Sequence, residues 1–277
     1  MSDEPRLTRV LVALDASPLS LAALEAAAAL AGRIGAELTG VYVEDVNLTR
    51  LPGHPAATSI SLVGGFRRDP EHRLLDNALK VQSAAARRAF DEVAEPLGPS
   101  ACFAVRQGRV EAELLAAAEQ ADLVLVGCSS SAIVRGARLP PLGRLGSTAR
   151  AVMERAARPV LVVRHALLEV QPVAVLYDGS AASRRALVLA ARLAVSAGAR
   201  LDVIALATDP DAARRREQEA RALIAPVAIA IDSRPITQAD TSRLTVETTR
   251  RALALLVLPD TARHLMEALP CSVVVVP

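Results

Sequence analysis

Tryptophan is missing from this chain, and phenylalanine and tyrosine together number five, an aromatic share of 2%. Lysine occurs once, at Lys80, and the formal net charge is only +2. A nucleic-acid binder normally joins a basic face to stacking aromatics, so nucleic acid is not an expected partner. Cores without aromatics must be made of Ala, Leu and Val, which suits thin helix-on-sheet layers; hydrophobic residues make up 52% of the chain. Cysteine is scarce: Cys102, Cys128 and Cys271 are odd in number, far apart and form no CxxC pair. That argues against a disulfide framework or zinc site and fits a reducing, cytoplasmic compartment. His54, His72, His165 and His264 share no metal-ligand spacing, so no metal ligands are expected. Long apolar runs are also lacking. The Ala-rich stretch Leu21–Ala31 contains Glu25 and is followed by Arg33, too short and interrupted to span a membrane. Residues Met1–Arg6 carry no apolar h-region, so no signal peptide is expected. GxSxG, GxxxxGK[ST], HExxH and a GxGxxG after the first strand are all absent. A P-loop enzyme or dehydrogenase is therefore not expected. No residue presents itself as a general base, and the chain reads as non-catalytic.

What is present is a repeat. Residues 10–38 and 173–201 align without a gap: Asp15 falls on Asp178, Ser17 on Ser180, Ser20 on Ser183, Leu24 on Leu187, Gly35 on Gly198 and Leu38 on Leu201. Each copy opens with an apolar run, then a polar turn, an amphipathic helix, Gly-Ala and a second apolar run, which is a βαβ unit. The 277 residues suit two domains, placed at 1–167 and 168–277.

In the first copy the pattern predicts strands at Val10–Leu14, Glu37–Val43, Ala101–Arg106, Leu123–Val126 and Val160–Val163. Ser17 is an N-cap with Pro18 at the first helical position, and Gly35 is the left-handed stop near Ile34. Further helices are predicted at Arg73–Glu95, Val110–Gln120 and Ser147–Ala157, and a long connection at 44–71. The second copy predicts strands at Val173–Tyr177, Arg200–Ala205, Val227–Ile231, Ala254–Leu258 and Ser272–Val276. Its helices are expected at Ala182–Ala197, Asp211–Ile224, Ser242–Arg251 and Thr261–Leu269; Arg214, Arg215 and Arg216 with Glu217 and Glu219 read as a solvated face. Alternating strands and helices with β-branched runs predict α/β domains, each a doubly wound parallel sheet.

Open parallel sheets bind ligands beyond the carboxyl ends of their strands. Asp15, Val43 and Gly127 end strands there, and Gly146, Ser147 and Thr148 open the next helix. A helix N-terminus receives phosphate through unpaired N–H groups and its dipole, and the two hydroxyls add donors. The same residues have plainer uses, Asp15 as a turn residue and Gly146-Ser147-Thr148 as a helix cap. Cys128 reads as a small buried residue.

The segments VLVALDAS, VYVED, VRQGRVEAELLAAAEQADLVLVG and GSTARAVMERAARPVLVV resemble the universal stress protein family, and the resemblance runs along nearly the whole chain. It implies two five-stranded sheets of order 3-2-1-4-5, adenine-nucleotide alpha-hydrolase-like in fold. It further implies a stress-response or regulatory protein that binds ATP with Mg²⁺ in its first domain. Asp15 would hold the adenine, Val43 would contact it through the backbone, and Gly127, Gly146, Ser147 and Thr148 would hold ribose and phosphates. The nucleotide-binding branch carries Gly, two residues, Gly, nine residues, Gly, then Ser or Thr. Here Ser130 replaces the second glycine, and eighteen residues separate Gly127 from Gly146, with a basic stretch at 135–144. Gly136 alone keeps the nine-residue spacing. In the second copy Leu258-Pro259-Asp260 replaces the strand end, and no Gly-Ser-Thr comes after it. The second domain is therefore expected not to bind nucleotide, and a non-nucleotide interaction scaffold is the alternative for the whole chain. In the family's strand order the fifth strands lie at sheet edges. Apolar edges invite pairing, so Val160–Val163 and Ser272–Val276 are expected to pair antiparallel in an internal pseudo-dimer, with homo-oligomers of whole chains compatible.

Overall fold

The computed structural model describes residues 7–15, 17–46, 59–60, 67–68, 72–128, 145–164, 172–207, 209–225, 231–236, 241–250, 253 and 255–277. The first half runs β1 (Arg9–Leu14), α1 (Pro18–Ile34), β2 (Glu37–Asp45), the two-residue strands β3 (Ser59–Ile60) and β4 (Arg67–Arg68), and α2 (His72–Ala94). A 3₁₀ segment at Glu95–Ser100, β5 (Ala101–Gly108), α3 (Val110–Ala118), β6 (Leu123–Gly127), α4 (Ser147–Arg155) and β7 (Val160–Val163) complete it. The second half runs β8 (Val173–Tyr177), α5 (Ala181–Ala197), β9 (Leu201–Leu206), α6 (Pro210–Ile224), β10 (Ile231–Ile236) and α7 (Thr241–Arg250). It ends with β11 (Leu255–Pro259), a 3₁₀ helix at Asp260–Ala268 and β12 (Ser272–Val276).

The repeat is visible in hydrogen bonds. Ser17 Oγ accepts from the Ser20 N–H at 3.1 Å, and Ser180 Oγ accepts from the Ser183 N–H at 3.1 Å. Gly35 and Gly198 close α1 and α5 at φ 66° and 61°, in the left-handed region glycine enters without steric cost.

Ten strands form one sheet in the order β10-β9-β8-β11-β12-β7-β6-β1-β2-β5. The two five-stranded halves join in it through their fifth strands: β12 and β7 pair antiparallel, as expected, with Val273 opposite Val162, Val274 opposite Leu161 and Val275 opposite Val160. Each strand leaves a row of unpaired N–H and C=O groups at its edge, and the other strand satisfies it. Every other neighbouring pair in this sheet is parallel. One face carries α1, α2, α5 and α6 over a continuous apolar layer, and the other carries α3, α4, α7 and the second 3₁₀ helix. Alanines dominate the buried side of α1, so that helix sits close on the sheet.

Two elements of the second half refine the expectations. Of the strand expected near Val227–Ile231, residues 227–230 lie outside the described residues, and the strand described is Ile231–Ile236. It pairs with β9 alone, and an edge strand tolerates Pro235 and polar residues that a central strand would reject. The expected helix at Thr261–Leu269 is a 3₁₀ helix. A 3₁₀ helix rises roughly 2.0 Å per residue against 1.5 Å for an α-helix. Nine residues therefore reach the start of β12, a return of roughly the length of a five-residue strand. Most of the 44–71 connection, Ser130, Gly136, the 135–144 stretch, His54, His165 and the boundary at 167 lie outside the described residues. Among the described residues no helix is long and apolar enough to cross a membrane, and no group of three or more His, Cys, Asp or Glu is placed to hold a metal. Cys102 is exposed, while Cys128 and Cys271 are buried, and no disulfide joins any of the three.

Candidate functional site

At the carboxyl ends of β1, β2 and β6 lies a cavity of about 370 Å³. Its wall includes all six residues singled out in the sequence: Asp15, Val43, Gly127, Gly146, Ser147 and Thr148. They come from four elements and meet only because β1 sits between β2 and β6, the place where the chain reverses its direction of winding.

Asp15 leaves β1 exposed to solvent. Its Oδ1 accepts from the Ser17 N–H at 3.0 Å, an Asx turn that leads into α1. Asp178 does the same with the Ser180 N–H at 2.9 Å. The turn-forming use of this aspartate is thus present in both halves. Gly127 is also tied to the fold. A Cβ there would lie 2.7 Å from the Leu19 carbonyl carbon and oxygen and 2.8 Å from Ser20 N, so the first turn of α1 already fills the space its missing side chain leaves. Gly146 is the N-cap of α4 with φ −61° and ψ 157°, and among the described residues no side chain caps this helix. Ser147 and Thr148 form the first turn, with their hydroxyls and the helix N–H groups at the cavity wall.

Sequence reading missed part of the wall. Tyr42, Asp45, Leu79, Gln82, Val110 and Leu114 also line it. Tyr42 precedes Val43 on β2, so strand alternation assigns it to the opposite face; only the tip of the strand brings it to the opening. Gln82 depends on how α2 folds back over β2, for which no local pattern exists. The Tyr42 hydroxyl lies 3.5 Å from Gln82 Oε1. Burial, then the carboxylates of Glu44 and Asp15, raise the Tyr42 pKa above its ordinary value. The cavity thus has an acidic side, with Asp15 and Asp45, apolar walls including Val41 and Leu114, and a donor-rich helix end.

The corresponding place in the second half is built differently. Pro259 pairs with Val276 as Gly127 pairs with Val163, and each terminates the strand beside the first strand of its half. Leu206 ends β9 where Val43 lies on β2, and its carbonyl accepts from Nη1 of Arg216 on α6. The Nε of Arg216 stands 3.5 Å, and Glu219 Oε2 3.9 Å, from the position a Cβ on Gly179 would take. Glu219 also pairs with Arg184 at 2.7 Å. This corrects the reading of α6 as a uniformly solvated face: Arg214 pairs outward with Asp211, but Arg216 turns in over the strand ends.

The sequence profile of the universal stress protein family matches residues 7–164. No curated protein sequence matches the chain. Among solved structures, the chain is similar to a universal stress protein from Archaeoglobus fulgidus at TM-score 0.74 and 16% identity, covering 98% of each chain. It is also similar to a protein from Pseudomonas aeruginosa provisionally assigned to the same family, at TM-score 0.60 and 16% identity, covering 98% of this chain and 93% of that one. At these identities the likeness is one of fold. The profile, however, covers more than half of the 277 residues, and the chain belongs to the universal stress protein family.

Proposed function

We propose that the first half, residues 1–167, binds an adenine nucleotide and that the protein serves as a stress-response or regulatory protein whose ligand state is ATP. The observation that carries this reading is the convergence of Asp15, Val43, Gly127, Gly146, Ser147 and Thr148 on one cavity. Its volume of about 370 Å³ falls within the range of small-ligand sites. Adenine lies against the apolar wall with Asp15 and the Val43 backbone, and the phosphates lie on the first turn of α4. Mg²⁺ supplies charge neutralisation to a bound triphosphate. It takes oxygen ligands and keeps several waters. The second half, residues 168–277, does not bind nucleotide; the two halves act as an internal pseudo-dimer in the cytoplasm, with no catalytic residue. Equilibrium binding of labelled ATP tests the proposal. Wild type binds, and Gly146→Val, which places a branched side chain at the helix mouth, does not, while its thermal unfolding is retained. Absence of binding by wild type at millimolar ATP sinks the proposal.

A second reading, an interaction scaffold without nucleotide, is favoured by two observations. The Asp15 carboxylate already serves a turn, as its counterpart does in the second half. The glycine at 127 is demanded by α1 rather than by a ligand.

A further inference from the structure

The second half touches the first in more than a shared strand edge. Arg164, directly after β7, donates through Nη2 to the Met266 carbonyl of the second half's 3₁₀ helix at 3.1 Å. Through Nη1 it reaches Cys128 Sγ at 3.7 Å, and its backbone N–H donates to Ser272 Oγ at 3.2 Å. Cys128 comes directly after Gly127, the strand end on the cavity wall, and its own N–H donates to the Val163 carbonyl at 2.9 Å. On the other side of the phosphate end, Arg150 stands two residues beyond Thr148 on α4. It pairs with Glu267 of the same 3₁₀ helix at 2.5 Å. Arg263 of that helix approaches the Glu154 carbonyl in the last turn of α4 at 3.5 Å.

Both structures that bound the phosphate end, the Gly127–Cys128 strand end and α4, are therefore fastened to one nine-residue segment of the other half. Helix α4 is itself only nine residues long, with no side-chain cap among the described residues. A helix that short does little to fix its own tilt, and phosphate binding requires donors held to within about half an ångström. Resting on the nucleotide reading of the first half, we propose that the 3₁₀ helix at Asp260–Ala268 is the positioning element of that site, with Arg164 and Glu267 as positioning residues. Arg164 is suited to this because its rigid fork holds two partners at once, which a lysine ammonium on a flexible stem does not. The degenerate half thereby sets the affinity for the phosphate part of a ligand it does not touch.

The test compares ATP with adenosine, by calorimetric titration of the full chain, in wild type, Arg164→Lys and Glu267→Gln. The first variant keeps its charge. The second removes a carboxylate, which by charge alone favours an anionic ligand, so a loss of ATP affinity isolates the positional effect. ATP affinity should fall about five-fold in each variant, the range of one lost hydrogen bond, while adenosine changes by less than about two-fold. An unchanged ratio of ATP to adenosine affinity in both variants overturns the proposal, even if their melting temperatures drop. Should Arg164→Lys fail to fold, Glu267→Gln decides, since that residue's pair with Arg150 is half exposed, at 44% for the arginine and 54% for the glutamate. Wild type that binds neither compound refutes the nucleotide reading itself, and this one with it.

Discussion

Replacing Val162 by aspartate sets a carboxylate in the middle of the seam. Val162 is 0% exposed, and it faces Val273 across the antiparallel pair and Val126 across the parallel one. Losing the buried valine costs about 1.5–3 kcal/mol. The carboxyl must then stay charged without water or take up a proton. A buried carboxyl has its pKa raised by roughly 3–5 units, so it is protonated in the fold at neutral pH; taking up that proton costs about 1.4 kcal/mol for each unit between pH 7 and the unfolded pKa near roughly 3.9, about 4 kcal/mol in all. The sum, about 6–7 kcal/mol, competes with the whole stability of an ordinary domain, about 5–15 kcal/mol. Val162→Asp is therefore expected to unfold or aggregate at pH 7, and Val274→Asp likewise, since Val274 is also 0% exposed.

The pH dependence carries the diagnosis. The folded pKa of the new carboxyl lies above its unfolded value near roughly 3.9. The folded state then holds the proton more tightly, so the penalty is smallest below about pH 4 and grows as pH rises toward the folded pKa. Val162→Ala, which only removes methyl groups, should cost about 2 kcal/mol, a fall in melting temperature of roughly 4–8 °C, with no such pH trend. Val105→Asp on β5, where the valine is 45% exposed, should stay within about 0.5 kcal/mol of wild type. Thermal unfolding by circular dichroism and light scattering at pH 4 and pH 7 separates these cases. A Val162→Asp protein that melts within about 3 °C of wild type at pH 7 would refute the buried seam.

At the other end of the first half, Asp122 Oδ2 accepts from Thr8 N, Thr8 Oγ1 and Arg9 N at 2.8, 2.9 and 3.0 Å. Burial pushes its pKa up, but these hydrogen bonds outweigh it and hold the pKa below the usual value, so Asp122 stabilises the fold above about pH 4 and loses that role as pH falls through its folded pKa. Asp122→Ala should cost about 1 kcal/mol at pH 7 for this partly exposed group, with the gap to wild type shrinking in acid; a gap that is the same at pH 3 and pH 7 contradicts the assignment. Titration with ATP should reach one nucleotide per chain in wild type, and still one in Arg216→Ala, because opening the Leu206 carbonyl restores no phosphate site beyond Pro259. A second equivalent in either protein counts against the division of labour between the halves.

Local chemistry explains what could be read from the sequence. Ser17 and Ser180, Gly35 and Gly198 act within a few residues of themselves, and the strand-helix alternation follows from periodicity. The six residues of the candidate site were legible because strand carboxyl ends in a parallel sheet must meet at one edge. Gln82 and Tyr42 were not, since their position depends on how α2 crosses β2. Arg216 was misread for a similar reason: a charged residue on a charged helix is exposed by default, and only the nearby Leu206 carbonyl turns it inward.

Comparison of the halves separates fold from function more sharply than either half alone. The aspartate at the end of the first strand makes the same hydrogen bond in both, to the Ser17 N–H and to the Ser180 N–H. Asp178 differs in also accepting from Thr261 Oγ1 of the 3₁₀ helix at 3.4 Å, so the turn is common to both halves and the surroundings of the carboxylate are not. The halves diverge at the end of the fourth strand of the family order, Gly127 against Pro259. They diverge again in the next helix, an α-helix that begins with Ser147-Thr148 against a 3₁₀ helix that begins with Asp260. Proline offers no N–H, and an aspartate at a helix start repels an anion that the helix dipole would otherwise attract. In the nucleotide reading proposed above, the segment after Pro259 has no phosphate to hold and is available to position α4, through the contacts from Met266 and Glu267 to Arg164 and Arg150.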